Sequence, residues 1–143
     1  VRFVVADRVL SWPVIGPLLR VSGMIIMTPG RERQALVRCR QGIRTSSLCI
    51  FPEGRLTQDG RLNPFKGGVA LIHQQTGAPI VPFAIEGGFE AWGWGRWRPR
   101  FRPLRMTFGP PIDMPHTHRA TIITELRRTV ETMLTEAGAS RAA

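Results

Sequence analysis

The chain has 143 residues, the size of one domain, which is long enough to bury a core without disulfide or metal staples. A hydrophobic fraction of 43%, with glycine and proline spread along the length, excludes a disordered tail. The net charge is +10, and every basic residue except Lys66 is arginine. Arginine favours phosphate-bearing partners, namely nucleic acid, an anionic membrane or a phosphorylated small molecule, although genomic base composition is an equal explanation of the bias.

The first half of the chain predicts alternating strands and helices. Apolar runs indicate strands at 1–5, 24–27 and 47–51. A short, proline-interrupted helix is predicted within 12–22. A second helix is predicted over about 31–40, with Ala35, Leu36 and Cys39 on one face and Gly42 at its end.

The second half predicts a helix at 67–75 that ends at Thr76-Gly77, a strand at 78–85, an irregular segment at 87–103 and a strand at 104–108. A long amphipathic helix follows at 117–137, ending at Gly138. Its apolar stripe consists of Ile122, Ile123, Leu126, Val130, Met133 and Leu134. The alternation of strands and helices predicts an α/β domain with a largely parallel or mixed sheet flanked by helices.

The two cysteines, Cys39 and Cys49, fall in a predicted helix and a predicted buried strand. No second cysteine pair accompanies them, so we expect buried reduced thiols, which suit a cytosolic compartment.

Three motifs carry the chemical signal. They are Phe51-Pro52-Glu53-Gly54-Arg55-Leu56-Thr57, Phe65-Lys66-Gly67-Gly68, and the run from Ala78 to Gly87. A buried strand that ends in Pro-Glu-Gly places a carboxylate and flexible backbone N–H groups at the sheet edge. Arg55 and Lys66 stand close enough in sequence to hold a phosphate there. The structural alternatives are that Glu53 caps a helix or turn and that Arg55 is a solvated loop charge.

In this order and spacing the motifs resemble the glycerolipid acyltransferases, of the lysophosphatidic acid acyltransferase type, from Val1 to about Pro115. The resemblance implies acyl transfer from an acyl-CoA or acyl-acyl carrier protein to a lysophospholipid hydroxyl in phospholipid biosynthesis. No metal or organic cofactor is implied, because this reaction needs only a base and charge stabilisation. The acceptor-binding residues that it implies are Glu53, Gly54, Arg55, Thr57 and Lys66.

The chain departs from the family pattern in two places. The motif arginine is shifted by one position, a variant similar to 2-acylglycerophosphoethanolamine acyltransferases, which leaves open an acceptor with a larger headgroup. The family's Gly-x-Ile-Phe-Ile-Asp-Arg element corresponds to Gly23 to Pro29, which lacks the arginine; Arg31 is the nearest replacement.

The family's catalytic His-x4-Asp motif is absent, because none of His73, His116 and His118 has an aspartate five residues later. We therefore assign no catalytic residue. We expect His73 to be a surface or half-buried helix residue, and His116 and His118 to be solvated. The chain is expected to be an inactive, N-terminally truncated fragment with its base encoded upstream. Residues 1–115 would form the acyltransferase core, and 116–143 a C-terminal helix packed on that core, with a short tail.

The segment 92–102 interleaves tryptophan with arginine. It predicts a peripheral contact with an anionic membrane, at the cytoplasmic face, through Trp92, Trp94, Trp97 and Arg98. An exposed basic loop is an equal alternative, and nucleic acid is a weaker one because no nucleic-acid motif accompanies the charge. The rival to an enzyme is a non-catalytic lipid- or nucleic-acid-binding module that keeps the fold.

Overall fold

The structure, a computed structural model, describes residues 1–7, 23–93, 95 and 98–142. The predicted helix within 12–22 lies outside these residues. The strands and helices are, in chain order, β1 (Arg2–Ala6), β2 (Ile25–Met27), α1 (Glu32–Ile43), β3 (Leu48–Ile50), α2 (Gly68–Thr76), β4 (Phe83–Glu86), α3 (Gly88–Trp92), β5 (Arg105–Phe108) and α4 (Arg119–Ala142).

Strand β1 is the centre of a three-stranded parallel sheet with the order β2-β1-β3. Val4 pairs with Ile25 of β2 and with Ile50 of β3. The three strands therefore end at the same edge, which is where open α/β sheets bind ligands. Helix α1 connects β2 to β3 and buries Ala35 and Cys39 against the sheet, as its predicted apolar face requires.

Strands β4 and β5 form a separate antiparallel pair, so the sheet arrangement is mixed, as predicted. One face of the pair packs on α4, whose predicted apolar stripe is buried there. The cluster at this contact consists of Ala84, Ile112, Leu126, Val130 and Met133. Two prolines, Pro79 and Pro82, shorten the predicted strand at 78–85 to its last part, leaving Ile80 in an isolated antiparallel bridge with Ile112.

The other face of the β4–β5 pair is apolar and exposed. Phe83 pairs with Phe108, and Ile85 pairs with Met106, so these four side chains share a face. Phe108 is 66% exposed and Met106 is 54% exposed. The Phe83 ring also meets Phe51, which follows β3, at a centroid distance of 5.9 Å and an angle of 78°. This edge-to-face contact joins the two sheets. We call this face, with Phe51, the apolar sheet face.

Among the described residues, no helix combines the length and the apolarity needed to cross a bilayer.

Two predicted helix ends were wrong. Gly42 lies inside the last turn of α1 and is buried; a methyl group there would meet Leu48 and Ile25 at 3.4 and 3.5 Å. Its small size, rather than a left-handed cap, explains this glycine. Gly138 lies inside α4, which continues to Ala142, because a single glycine costs a helix only about 1 kcal/mol. Gly77 does end α2 in the left-handed conformation, as predicted.

The segment 87–103, predicted to be irregular, contains the short helix α3. The left-handed Gly87 precedes this helix. The helix was not predicted because the glycine-rich sequence shows no helical periodicity.

Candidate functional site

The turn after β3 brings a lysine over a glycine. Gly54 has φ +66°, a conformation that favours glycine. A methyl group at this position would lie 2.9 Å from both Cε and Nζ of Lys66, so the absence of a side chain admits the lysine. The backbone N–H of Lys66 donates to the carbonyl of Pro52 at 2.8 Å, which fixes the two segments together. The lysine ammonium therefore lies at the carboxyl end of β3.

Glu53 and Arg55 are joined through a third residue, Asn63. Oε2 of Glu53 accepts from the backbone N–H of Asn63 at 2.7 Å and from its Nδ2 at 3.0 Å. Nε of Arg55 donates to Oδ1 of the same asparagine at 3.1 Å. Glu53 is half-buried and Arg55 is exposed. The glutamate thus braces the loop that carries the arginine, so the predicted turn-capping alternative describes part of its role.

The hydroxyl group of Thr57 forms its hydrogen bonds within its own loop. Its hydroxyl donates to the carbonyl of Arg61 at 2.7 Å and lies 3.2 Å from Oδ1 of Asp59. That carboxylate also accepts from the backbone N–H of Arg61 at 3.0 Å, and this bond is the main cause that lowers the pKa of Asp59. Because the single hydroxyl proton of Thr57 is used here, it cannot donate to a phosphate in this arrangement.

An acidic residue, Glu32, shares the surroundings of Lys66. Its carboxylate accepts from the backbone N–H of Gly30 at 2.9 Å. Backbone N–H groups, first its own and then that of Gly30, lower the pKa of Glu32, and the charge of Lys66 lowers it further. Glu32 stands in the first turn of α1, where the helix dipole also favours a negative charge. The charges of Glu32 and Lys66 thus influence each other.

A cavity of about 190 Å³ lies between the end of β3, the free edge of β4 and helix α4. Its walls are mainly apolar. Of the described residues that line it, Glu53 is the one with an ionisable side chain. The volume holds on the order of six methylene- or water-sized groups. Its main apolar walls are Phe51, Leu62, Phe65, Phe83, Leu126 and Val130. A polar, cationic turn thus borders an apolar cavity, which suits an amphiphilic ligand.

His73 is buried, with 1% of its surface exposed, so the predicted surface or half-buried position was wrong. Its Nε2 lies 2.9 Å from the backbone nitrogen of Met114, and its Nδ1 lies 2.7 Å from the carbonyl oxygen of Ala78. The Met114 N–H can only donate, so Nε2 must be the acceptor and the proton resides on Nδ1. Neither ring nitrogen is available to act as a base. His116 and His118 are exposed, as predicted.

The predicted membrane-contact residues are only partly described. Trp94 and Trp97 lie outside the described residues. Trp92 is 44% exposed at the end of α3, and Arg98 is also exposed. The backbone N–H of Arg100 donates to the carbonyl of Ala91 at 2.7 Å, so the chain at Arg100 lies against α3.

Sequence reasoning missed three residues near the site: Asn63, Glu32 and Arg127. Asn63 stands ten residues after Glu53 in a polar loop, where nothing in the sequence selects one polar residue over another. Arg127 lies on the polar side of α4, next to the buried Leu126, and its Nη1 and Nη2 donate to the carbonyls of Asn63 and Leu62. Sequence patterns assign it only to a solvated helix face. In the part of the chain that the structure describes, no group of three potential metal ligands comes together.

A sequence profile of the family described as "Acyltransferase" matches residues 1–86, which is more than half of the chain. The chain belongs to the acyltransferase family. The match includes the turn after β3, the loop to Lys66 and helix α2. The site described above therefore lies mainly in the part of the chain that defines its membership of the acyltransferases.

Related acyltransferases carry specific names. The 1-acyl-sn-glycerol-3-phosphate acyltransferase of Limnanthes douglasii is 32% identical over 115 residues, which cover 77% of this chain and 41% of the relative. The enzyme of the same name from Cocos nucifera is 44% identical over 66 residues, covering 46% of this chain and 21% of the relative. The predicted resemblance to glycerolipid acyltransferases is thereby confirmed. The chain spans less than half the length of these relatives.

The acyltransferase fold is shown by a solved structure. The crystal structure of the 1-acyl-sn-glycerophosphate (LPA) acyltransferase PlsC from Thermotoga maritima matches with a TM-score of 0.80 and 22% identity. The match covers 96% of this chain and 57% of the T. maritima chain. The predicted α/β acyltransferase-like fold is confirmed.

Proposed function

We propose that this chain binds the acceptor in a glycerolipid acyltransferase, in which a fatty acyl group passes from acyl-CoA or acyl-acyl carrier protein to a lysophospholipid. The acceptor is 1-acylglycerol 3-phosphate or a related lysophospholipid. Family membership and the names of the relatives support this class of reaction. The observation that carries the proposal is the surroundings of Glu53, which lines the apolar cavity. Glu53 is linked through Asn63 to Arg55, and it is followed by Gly54, over which Lys66 lies.

Each residue of the predicted set has a distinct part in this proposal. Arg55 and Lys66 supply positive charge to the acceptor phosphate, and Gly54 leaves room for the lysine. Glu53 and Thr57 hold the loop, through Asn63 and Arg61 respectively. The apolar cavity beside them receives part of an acyl chain.

The proposed base is a His-x4-Asp pair from outside these 143 residues. It removes the proton from the acceptor hydroxyl, whose oxygen attacks the thioester carbonyl. The C–S bond then breaks, and the thiol leaves with a proton. His73 cannot replace the base because the backbone occupies both of its ring nitrogens. We also propose that residues 1–115 form the acyltransferase core and that residues 116–143 form a C-terminal helical segment packed on it.

The test is equilibrium binding of 1-acylglycerol 3-phosphate, below its micelle concentration, to the 143-residue chain. We expect saturable binding that Arg55→Ala and Lys66→Ala each weaken about tenfold, because each removes a charge-assisted contact to phosphate. Arg61→Ala is the matched control from the same loop and should change the affinity less than about twofold. Equal losses in all three variants would refute a site built on Arg55 and Lys66.

Turnover distinguishes the enzyme from a non-catalytic lipid-binding module. A thiol-release assay with acyl-CoA and the acceptor should show no turnover by the 143-residue chain. Turnover by this chain alone would refute the proposed external base. In the full-length protein, Glu53→Ala should lower activity. Acceptor binding without any turnover there would favour the non-catalytic alternative.

We further propose a peripheral contact with an anionic membrane at its cytoplasmic face, through the segment around Trp92 and Arg98 and through the apolar sheet face. Phe108 and Met106 on that face are more than half exposed, and exposed arginines precede β5 in sequence. Flotation with neutral and with anionic vesicles tests the contact. Phe108→Asp should reduce binding, whereas Val37→Asp, at a half-exposed position on α1, should not. If binding is the same with neutral and anionic vesicles, and is unchanged in Phe108→Asp, this surface is not the membrane contact.

A further inference from the structure

A chain of polar contacts connects helix α4 to the arginine of the proposed phosphate site. Asn63 is at its centre: its Nδ2 donates to Glu53 while its Oδ1 accepts from Arg55. A side-chain amide can donate to a carboxylate and accept from a guanidinium at the same time, whereas a carboxylate or an ammonium can do only one of these. The residue type at position 63 therefore matters for both neighbours.

Arg127 holds Asn63 from the side of α4. Its Nη1 donates to the carbonyl of Asn63 at 3.2 Å, and its Nη2 lies 3.4 Å from the carbonyl of Leu62. Its Nε donates to Oε1 of Glu131 at 2.7 Å, one helical turn further on. All three nitrogens of this guanidinium are thus engaged, and its plane is set by contacts with both the helix and the loop.

The contact at Nε leaves the outer edge of Arg55 available. No described residue accepts a hydrogen bond from its two terminal nitrogens. The N–H groups of these nitrogens form the fork that binds two phosphate oxygens side by side. Asn63 restricts the directions in which that fork can point, because it holds the guanidinium by its inner nitrogen.

We infer that Asn63 is a positioning residue for recognition of the acceptor phosphate, and that Arg127 fixes Asn63 from helix α4. This inference rests on the proposed function, in which Arg55 binds that phosphate. Asn63 itself touches Arg55 and Glu53, so it acts through Arg55 and not on the reacting atoms.

The experiment compares two ligands that differ only in the phosphate: 1-acylglycerol 3-phosphate and 1-acylglycerol. Binding to the 143-residue chain is measured for both, with thermal unfolding as a check on folding. Asn63→Ala should weaken binding of the phosphate-bearing ligand about tenfold and change binding of 1-acylglycerol less than about twofold. A purely structural role would weaken both ligands equally, and that result would overturn the inference.

An exchange of donor and acceptor gives a second test that does not depend on alanine variants. Asn63→Asp places two carboxylates together and should weaken phosphate-dependent binding. Adding Glu53→Gln restores a donor opposite the new carboxylate while the contact with Arg55 is kept, so phosphate-dependent binding should recover by at least about threefold. Failure to recover in a folded double variant would overturn the proposed linkage.

The contribution of α4 is tested with neighbouring arginines. Arg127→Gln should reduce the preference for the phosphate-bearing ligand about threefold, and Arg127→Lys should reduce it less. Arg128→Gln is the matched control, because the guanidinium of Arg128 pairs with Glu125 on the same helix, whereas that of Arg127 donates to the loop. Equal effects at positions 127 and 128 would contradict the role of Arg127.

Failure of the proposed function and failure of the positioning role give different binding results. If the wild-type chain shows no preference for the phosphate-bearing ligand, the proposed function fails. If the preference is present and is lost in Arg55→Ala but kept in Asn63→Ala, only the positioning role fails.

Discussion

The backbone N–H of Met114 donates to Nε2 of His73 at 2.9 Å, across 41 residues of sequence. With Nδ1 donating to the carbonyl of Ala78, the imidazole connects α2 to the segment before α4. His73→Phe keeps much of the volume but leaves a buried N–H and a buried carbonyl without this partner. We expect it to lower the free energy of unfolding by about 2–5 kcal/mol. His116→Phe, at an exposed site, should change it by less than about 0.5 kcal/mol. Urea denaturation of both variants checks this, and a small effect at position 73 would refute the bridging role.

Two left-handed glycines differ in the space around them. Gly77 has φ +67° and no neighbour within 4 Å of an added methyl group, whereas at Gly87, with φ +78°, that methyl would overlap the carbonyl oxygen of Pro103. Gly77→Ala should therefore cost only the backbone strain, about 1 kcal/mol. Gly87→Ala should cost about 1–3 kcal/mol more, because the segment before β5 must move. Thermal unfolding of the pair measures the difference, and equal midpoints would contradict the close approach of Pro103.

The two thiols should react slowly in the native protein. Cys39 is buried as predicted, whereas Cys49 is only half-buried, so the expectation of two buried thiols was wrong for Cys49. Partial or full burial still raises the pKa of both thiols, so less thiolate is present at a given pH than in the unfolded chain. The native state consequently keeps these protons to higher pH, and stability should be lost as pH rises through the raised pKa values. Titration with a chromogenic disulfide at pH 8 should show slow reaction that becomes rapid in guanidinium. Fast native labelling of Cys39 would contradict its complete burial.

Removing the acid beside Lys66 should strengthen anion binding. The pKa of Glu32 is lowered, so this carboxylate stays charged at neutral pH and becomes protonated only below the ordinary range of glutamate. Glu32→Gln should raise affinity for 1-acylglycerol 3-phosphate about twofold at neutral pH. Glu136→Gln, an equal change of net charge on α4, should have less effect. No difference between the two variants would show that Glu32 does not compete for Lys66.

Much of the fold could be predicted because the strands and helices correspond to local patterns of apolar residues. The apolar runs around Val4, Ile25 and Cys49 became the parallel strands, and the stripe from Ile122 to Leu134 became the buried side of α4. The errors lie where one residue type serves several purposes. Glycine is a helix end at Gly77, a close-packed helix residue at Gly42 and a helix start at Gly87, and composition alone does not separate these uses.

The candidate site was predicted less completely than the fold. The motif around the turn selects Glu53, Arg55 and Lys66 as candidates. In the structure Glu53 and Arg55 both contact Asn63, and Lys66 lies over Gly54. Asn63 and Arg127 could not be found in the same way, because their importance depends on a loop folding back ten residues and on a helix more than sixty residues away. Hydrogen bonds between residues so far apart in the sequence produce no periodic pattern from which they could be predicted.

Helix α4 also determines where this polypeptide can be shortened. Leu126 and Val130 form part of the cavity wall, while Arg127 between them fastens the loop that carries the cationic turn. A boundary placed before Arg119 would open a hydrophobic interior to water and release the loop in the same cut. Serial deletion from the C-terminus should therefore produce one abrupt loss of soluble protein, at the deletion that reaches these turns, rather than a gradual decline.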